Sequence, residues 1–218
     1  MPIPCYILTA LGAYLLGSIP TGYLLAKARG VDIRTVGSGN IGATNVFRIL
    51  GTPAGVAVLL ADALKGWLSV VVLAPLLANA FYPAAGPLAR EWFRVIAGIS
   101  AILGHNYTCW LGFKGGKGIA TSAGALVALV PWSLLIVLGV WVIVFALTRY
   151  VSLASIAAAF ALPFATWLTG HNAVLIGLTT VMGLLAIYKH KSNIQRLLQG
   201  TEHRIGTRKE QQSPKPAA

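Results

Sequence analysis

Three short segments concentrate the residue types that could do chemistry in this chain. The first is GSGNIGATNVFRILG, residues 37–51, which sets Ser38, Asn40, Thr44, Asn45 and Arg48 among four glycines. Glycine lets backbone approach a ligand closely, and free backbone N–H groups cradle anions. An arginine there could grip a phosphate through two parallel hydrogen bonds. The competing reading is a flexible loop that caps the next helix through Thr44 or Asn45. The second segment is FKGGKGIATSAG, residues 113–124. It resembles a phosphate loop in composition, but no Ser or Thr directly follows Lys117, so it is not the GxxxxGK[ST] motif. The physics carries over without the motif. Backbone N–H groups and a helix dipole at its C-terminal side, with Lys117 as a point charge, would attract an anion. The third segment is YKHKSNIQRLLQGTE, residues 188–202. His190, Asn193, Ile194 and Leu197 recur at i, i+3, i+4 and i+7, one helical face, and Arg196 follows Asn193 by three. Surrounding positive charge should hold His190 neutral and ready to accept a proton. A juxtamembrane basic helix holding anionic lipid is the competing reading.

Equally informative is what is missing. Five acids make up the whole carboxylate inventory. No paired carboxylates suit acid–base work, no GxSxG elbow appears, and no His is followed by Asp in an HxxxxD arrangement. Cys5 and Cys109 have no ligand spacing, so no metal site is expected. The chemistry must run on cationic and neutral groups.

These segments sit in a chain of 218 residues that is 56% hydrophobic and 10% charged, with a net charge of +12. Its mean hydropathy is +0.75. A soluble domain carries about 25% charged residues, so this chain lacks the polar surface to cover a water-exposed globule. Disorder needs low hydrophobicity and is excluded. The apolar runs are continuous rather than alternating, which argues against a β-barrel. A pI near 10.2 would suggest nucleic acid in a soluble protein. Here the basic residues fall in loops, so no nucleic-acid partner is expected.

Spans of roughly 20 apolar residues divide the chain. They cover about 4–26, 53–78, 92–109, 119–130, 132–148, 151–168 and 173–188. Pro131 splits the uncharged run 119–147, which is too long for one straight crossing. The start has no basic n-region and reads as a retained first span rather than a signal peptide. With the N-terminus outside, fourteen Lys and Arg fall on the inner side and only Arg90 and Arg94 on the outer side. That asymmetry sets the expected orientation, N-terminus out and C-terminus in. The expected fold is an all-α integral membrane protein of seven transmembrane helices. All three polar segments then lie on the cytoplasmic face, which points to one site. Asp62 and Lys65 lie inside the second span at i, i+3 and should pair with each other. His105 ends the third span. The expected organisation is a membrane domain over 1–203 and a basic, disordered tail over 204–218.

GSGNIGATNVFR, then GH at 104–105 with FKGGKGIAT, then HKSNIQRLLQGTE resemble the bacterial acyl-phosphate:glycerol-3-phosphate acyltransferase family. The likeness runs roughly from residue 10 to residue 203, with the motifs in the family's order. It implies transfer of an acyl chain from acyl phosphate to the 1-hydroxyl of glycerol 3-phosphate, releasing 1-acylglycerol 3-phosphate and phosphate. It implies no cofactor and no covalent acyl-enzyme, and it places the protein in the bacterial inner membrane. By motif match, Ser38, Arg48 and Lys117 would hold glycerol 3-phosphate. The backbone at Gly115 and Gly116 would hold the donor phosphate. His190 and Asn193 would orient the attacking hydroxyl. Asn40, Thr44, Asn45, His105, Gly118, Thr121, Arg196 and Glu202 complete the candidate substrate-binding set. The general base is either His190 or an oxygen of the substrate phosphate, and the resemblance leans toward the substrate. The expected partners are glycerol 3-phosphate, acyl phosphate and membrane lipid. The rival function is a transporter of phosphorylated metabolites, which would need a midplane site reached from both sides.

Overall fold

A computed structural model describes residues 3–206. All regular structure among them is helical. The first apolar run forms α1 (Ile3–Ser18) and α2 (Thr21–Lys27), separated at Ile19–Pro20 where proline removes a backbone donor. The glycine-rich segment then leads into α3 (Ala43–Leu50), which Gly51 ends at φ +83°. Next come α4 (Thr52–Leu68), a π-helical turn over Ser69–Leu73, and α5 (Ala74–Phe81), joined as one long run. After them α6 (Pro87–Asn106) opens on a proline, pre-set for the first helical position.

A 3-10 turn (Cys109–Leu111) and the glycine strand 112–118 lead into α7 (Ile119–Leu129). The chain breaks at Val130, and α8 (Pro131–Thr148) starts on the proline. Arg149, in the left-handed region at φ 62°, turns the chain into α9 (Val151–Leu168). Asn172 caps α10 (Ala173–Lys189) by accepting from Leu175 N at 3.1 Å. A bend of 55° at His190 leads into α11 (Lys191–Leu198).

The first expected span is present as one apolar run, Ile3–Lys27, with a break at Pro20. One expected span needs correction. The third runs over Pro87–Asn106 rather than 92–109, because Pro87 nucleates the helix earlier and Cys109 lies in the 3-10 turn. Four helical runs are long and apolar enough to cross a bilayer: Ile3–Lys27, Thr52–Phe81, Pro131–Thr148 and Val151–Leu168. The bent pair α10–α11 gives a fifth. Of the tail, residues 204–206 are described, and they return to the α8–α9 turn, with Ile205 N donating to Arg149 O at 3.0 Å. The expected disorder of the rest falls at 207–218, outside the described residues.

Lipid offers no hydrophobic drive between helices, so close backbone packing must hold them. Gly66 of α4 abuts the Thr121 carbonyl of α7, and Gly124 of α7 abuts the Ala63 carbonyl of α4, leaving neither room for a Cβ. Large apolar side chains such as Leu60, Ile143 and Leu184 point outward from the bundle. Asp62 and Lys65 do pair, at 2.8 Å, and both are buried. Lys65 also donates to Ile19 O at 2.9 Å, satisfying a carbonyl beside the Pro20 break. Thr21 donates to Asp62 Oδ1 at 2.6 Å, so the pair stitches α2 to α4.

Candidate active site

The folded chain brings the three polar segments to one cavity of 1080 Å³. Ser38, Asn40, Thr44, Asn45 and Arg48 enter from the first loop and α3. Lys117 and Gly118 enter from the glycine strand, and His190, Asn193, Arg196 and Glu202 from α11 and the segment after it. His105 and Asp62 reach its wall from below. The polar mouth continues into an apolar arm between α7, α8, α9 and α10, lined by Leu126, Val137, Trp141, Leu162 and Met182 among others. Along α10 the arm descends about 12 Å from His190 to Met182, at 1.5 Å per residue.

Within the first segment the side chains divide their labour. Asn45 is buried and its amide is spent on the loop. Its Oδ1 accepts from Ser38 N at 2.9 Å, and its Nδ2 donates to Ile33 O and Val36 O at 3.2 and 3.1 Å. Asn40 Oδ1 accepts from Gly42 N at 2.9 Å. Both asparagines shape the loop through these bonds, and both line the cavity. The hydroxyls of Ser38 and Thr44 and the Arg48 guanidinium make no hydrogen bond to the described residues and face the cavity.

In the second segment Gly116 N donates to His105 O at 3.0 Å, and Gly115 N donates to Asn106 O at 3.2 Å. Both donors are engaged within the fold, and neither glycine lines the cavity. Their lack of a side chain serves packing instead: a Cβ at 116 would strike the His105 ring, and one at 115 the His105 carbonyl. Thr121 is fully buried and likewise forms no part of the wall. The groups that do face the cavity lie just beyond. Gly118, left-handed at φ +80°, with Ile119 and Ala120, forms the first turn of α7. The first intrahelical donor there is Ser122 N, so the backbone N–H groups before it stand free at the positive end of the helix.

His105 sits 3.4 Å by its Nδ1 from Asp62 Oδ1, too poorly aligned for a hydrogen bond. It backs the glycine-rich segment 112–118, through its carbonyl and its ring against Gly116, and it lines the cavity wall.

The third segment forms a relay. Lys117 Nζ donates to Asn193 Oδ1. Asn193 Nδ2 donates to Glu202 Oε1 at 2.7 Å, and Ser152 Oγ reaches the same oxygen at 2.8 Å. Arg196 Nε donates to Glu202 Oε2 at 2.7 Å. Burial would raise the Glu202 pKa, but these three donors outweigh it and hold the carboxylate charged. Glu202 thus ties α11 to α9 at the edge of the cavity. Sequence reading offered no signal for Ser152, which is 50 residues away.

Burial depresses the Lys117 ammonium to about 8, partly offset by Glu202 and reinforced by Arg196 and Arg48. Burial and then the Lys117 charge push His190 down to about 4. His190 Nδ1 lies 2.7 Å from Ala186 O. A carbonyl only accepts, so Nδ1 carries the proton and Nε2 is left as a bare acceptor. Arg48, Lys117 and Arg196 therefore face one carboxylate, already spent on the relay. The mouth is cationic, and the arm beneath it is apolar.

Similarity to known proteins meets this geometry. A family profile described as "Glycerol-3-phosphate acyltransferase" matches residues 7–200. The chain is 54% identical over 199 residues to a glycerol-3-phosphate acyltransferase of Geobacter metallireducens, covering 91% of this chain and 97% of that one. To the protein of that name from Geobacter sulfurreducens it is 48% identical over 199 residues, covering 91% and 96%. Its fold is similar to the crystal structure of PlsY (YgiH), an integral membrane glycerol 3-phosphate acyltransferase, in its glycerol 3-phosphate form, with TM-score 0.81, 42% identity and coverage of 93% and 96%. The lysophosphatidic acid form of PlsY matches with TM-score 0.79 and 41% identity, with the same coverage. Motifs, cavity and whole-chain similarity agree: this chain belongs to the glycerol-3-phosphate acyltransferase family, integral membrane proteins.

Proposed function

We propose that the cavity transfers an acyl chain from acyl phosphate to the 1-hydroxyl of glycerol 3-phosphate. The products are 1-acylglycerol 3-phosphate (lysophosphatidate) and phosphate. The observation that carries this reading is the single cavity with a cationic, glycine-rich mouth and an apolar arm. Both substrates bring a phosphate to the mouth, and one brings a chain for the arm. Ser38, Thr44, Arg48 and Arg196 hold the phosphate of glycerol 3-phosphate. The first turn of α7 and Lys117 take the donor's phosphate, replacing the role expected of Gly115 and Gly116.

The donor is a mixed anhydride, already activated, so the protein supplies position and charge stabilisation rather than a nucleophile. The hydroxyl oxygen attacks the acyl carbon and forms the ester bond. The acyl carbon–oxygen bond to phosphate breaks, and phosphate leaves with the electron pair. The hydroxyl proton passes to His190 Nε2 or to a phosphate oxygen. Purified protein in detergent should release phosphate and lysophosphatidate from palmitoyl phosphate and glycerol 3-phosphate, with none from palmitoyl-CoA. Product from the thioester alone would overturn the donor assignment, and product from neither would favour the transporter.

The same reading includes seven passes, with α1–α2, α4–α5, α6, α7, α8, α9 and α10 as crossings. The distribution of Lys and Arg supports an outer N-terminus and a catalytic mouth facing the cytoplasm of a bacterial inner membrane. The catalytic domain spans 1–203, and the residues up to 206 extend it as a strap. Cys5 and Cys109 are both free thiols on opposite sides in this arrangement. A membrane-impermeant maleimide added to intact right-side-out spheroplasts should label a Cys109→Ser variant at Cys5 and leave a Cys5→Ser variant unlabelled until lysis. The reverse pattern would invert the topology.

A further inference from the structure

A second cavity, of 200 Å³, lies outside the catalytic one and shares none of its lining. Its wall is Tyr107 at the end of α6, Tyr188 and Lys189 at the end of α10, and Lys191 and Ser192 at the start of α11. Two ammonium groups therefore flank one small hollow. Neither pairs with a carboxylate among the described residues, whose ion pairs are at Asp32, Asp62 and Glu202. Nor are they loose. Lys189 Nζ lies 4.3 Å from the centre of the Tyr107 ring and donates to Asn106 O at 3.0 Å. Lys191 Nζ lies 5.0 Å from the Tyr188 ring. Cation–π contacts hold both heads beside the hollow, where like charges repel unless an anion lies between them. The Ser192 hydroxyl adds a neutral donor.

Directly along α10 from the hollow runs an apolar stripe. Val181, Leu184 and Tyr188 follow at i, i+3 and i+7 and are 53%, 64% and 57% exposed. A free phosphate would have no use for that stripe, whereas a lipid would lay a chain along it. Tyrosines at this level suit the headgroup boundary. We propose that this hollow binds the phosphate headgroup of an anionic phospholipid, with Lys189, Lys191 and Ser192 as its donors and the Val181–Leu184–Tyr188 stripe as the bed for one acyl chain. The assignment stands apart from the catalytic reading, because it uses none of the reaction's residues.

The test is lipid retention by the purified full chain, read by native mass spectrometry. The wild type is exposed to phosphatidylglycerol and to phosphatidylcholine with the same chains. It should retain phosphatidylglycerol preferentially. Lys191→Gln should weaken retention about fivefold, and Lys189→Gln/Lys191→Gln more, since each lysine near an anionic surface contributes about that factor. Lys191→Arg should restore the preference. Lys191 is exposed, so its variants keep the fold, and an unchanged melting temperature in lipid-free detergent checks this. Millimolar inorganic phosphate should not displace the lipid. Equal retention of the two lipids, undiminished retention by the double variant, or displacement by inorganic phosphate would each overturn the proposal, the last pointing to a free phosphate site.

Discussion

Lys117→Met should lower kcat/KM for acyl transfer by about 10²–10³-fold, the cost of removing one preorganised donor from developing negative charge. Three features make this a large effect. The ammonium is half-buried, so its field on a phosphate is less screened than at the open surface. It stands beside the first turn of α7, where the proposed reaction puts the departing phosphate. It also donates to Asn193, so its loss leaves the Asn193 carbonyl without that partner and loosens the link to Glu202. A pH profile gives the same residue a second readout. Burial sets its pKa near 8, so the protonated form dominates below that value. Activity should decline as pH rises through about 8, and Lys117→Arg should move that decline upward. Steady-state kinetics in detergent over pH 5–10 check both statements. A Met variant within tenfold of wild type would remove Lys117 from the chemistry.

The second large effect belongs to His190. His190→Ala should reduce kcat by about 10²–10⁴-fold if the ring takes the hydroxyl proton. Its tautomer is already set for that task by the Ala186 carbonyl, and its low pKa keeps Nε2 free throughout the neutral range. The working form is neutral, so activity should fall only as pH drops through about 4. With Lys117 this gives a plateau between about 4 and about 8. His190→Gln separates proton transfer from orientation, because an amide can hold a hydroxyl but cannot take its proton. A Gln variant that keeps most of kcat would move the base to the substrate phosphate.

Much of this could be read along the chain. Long uncharged runs, the 3.6-residue repeat of His190, Asn193 and Leu197, and Pro131 at the split of a run too long to cross once are all local features. So were Asp62 and Lys65, because a charge in lipid needs a partner and i+3 supplies one. The break at Pro20 was visible as a residue but hidden by the hydropathy around it. The early start of α6 was obscured by Arg90 and Glu91, whose polar heads find partners outside the helix: Arg90 donates to Ala85 O and Asn79 Oδ1, and Glu91 accepts from Asn172 Nδ2.

Site residues divide along the same line. Which groups are chemically capable of binding an anion follows from residue type, and the order of residues displayed it at Arg48, Lys117 and Arg196. Which groups remain free to do so does not. Asn45, Gly115, Gly116 and Glu202 carry suitable donors or acceptors, but partners elsewhere in the fold occupy them: the 33–38 loop, the carbonyls of His105 and Asn106, and Ser152 from α9. The apolar arm is also a product of assembly, since its walls come from four helices whose separate sequences look alike. Hydropathy and helical period are properties of neighbours in the chain, so they fix membrane residence and helicity. Hydrogen-bonding capacity is finite and is claimed by neighbours in space, so only the packed helices settle which donors are left for substrate.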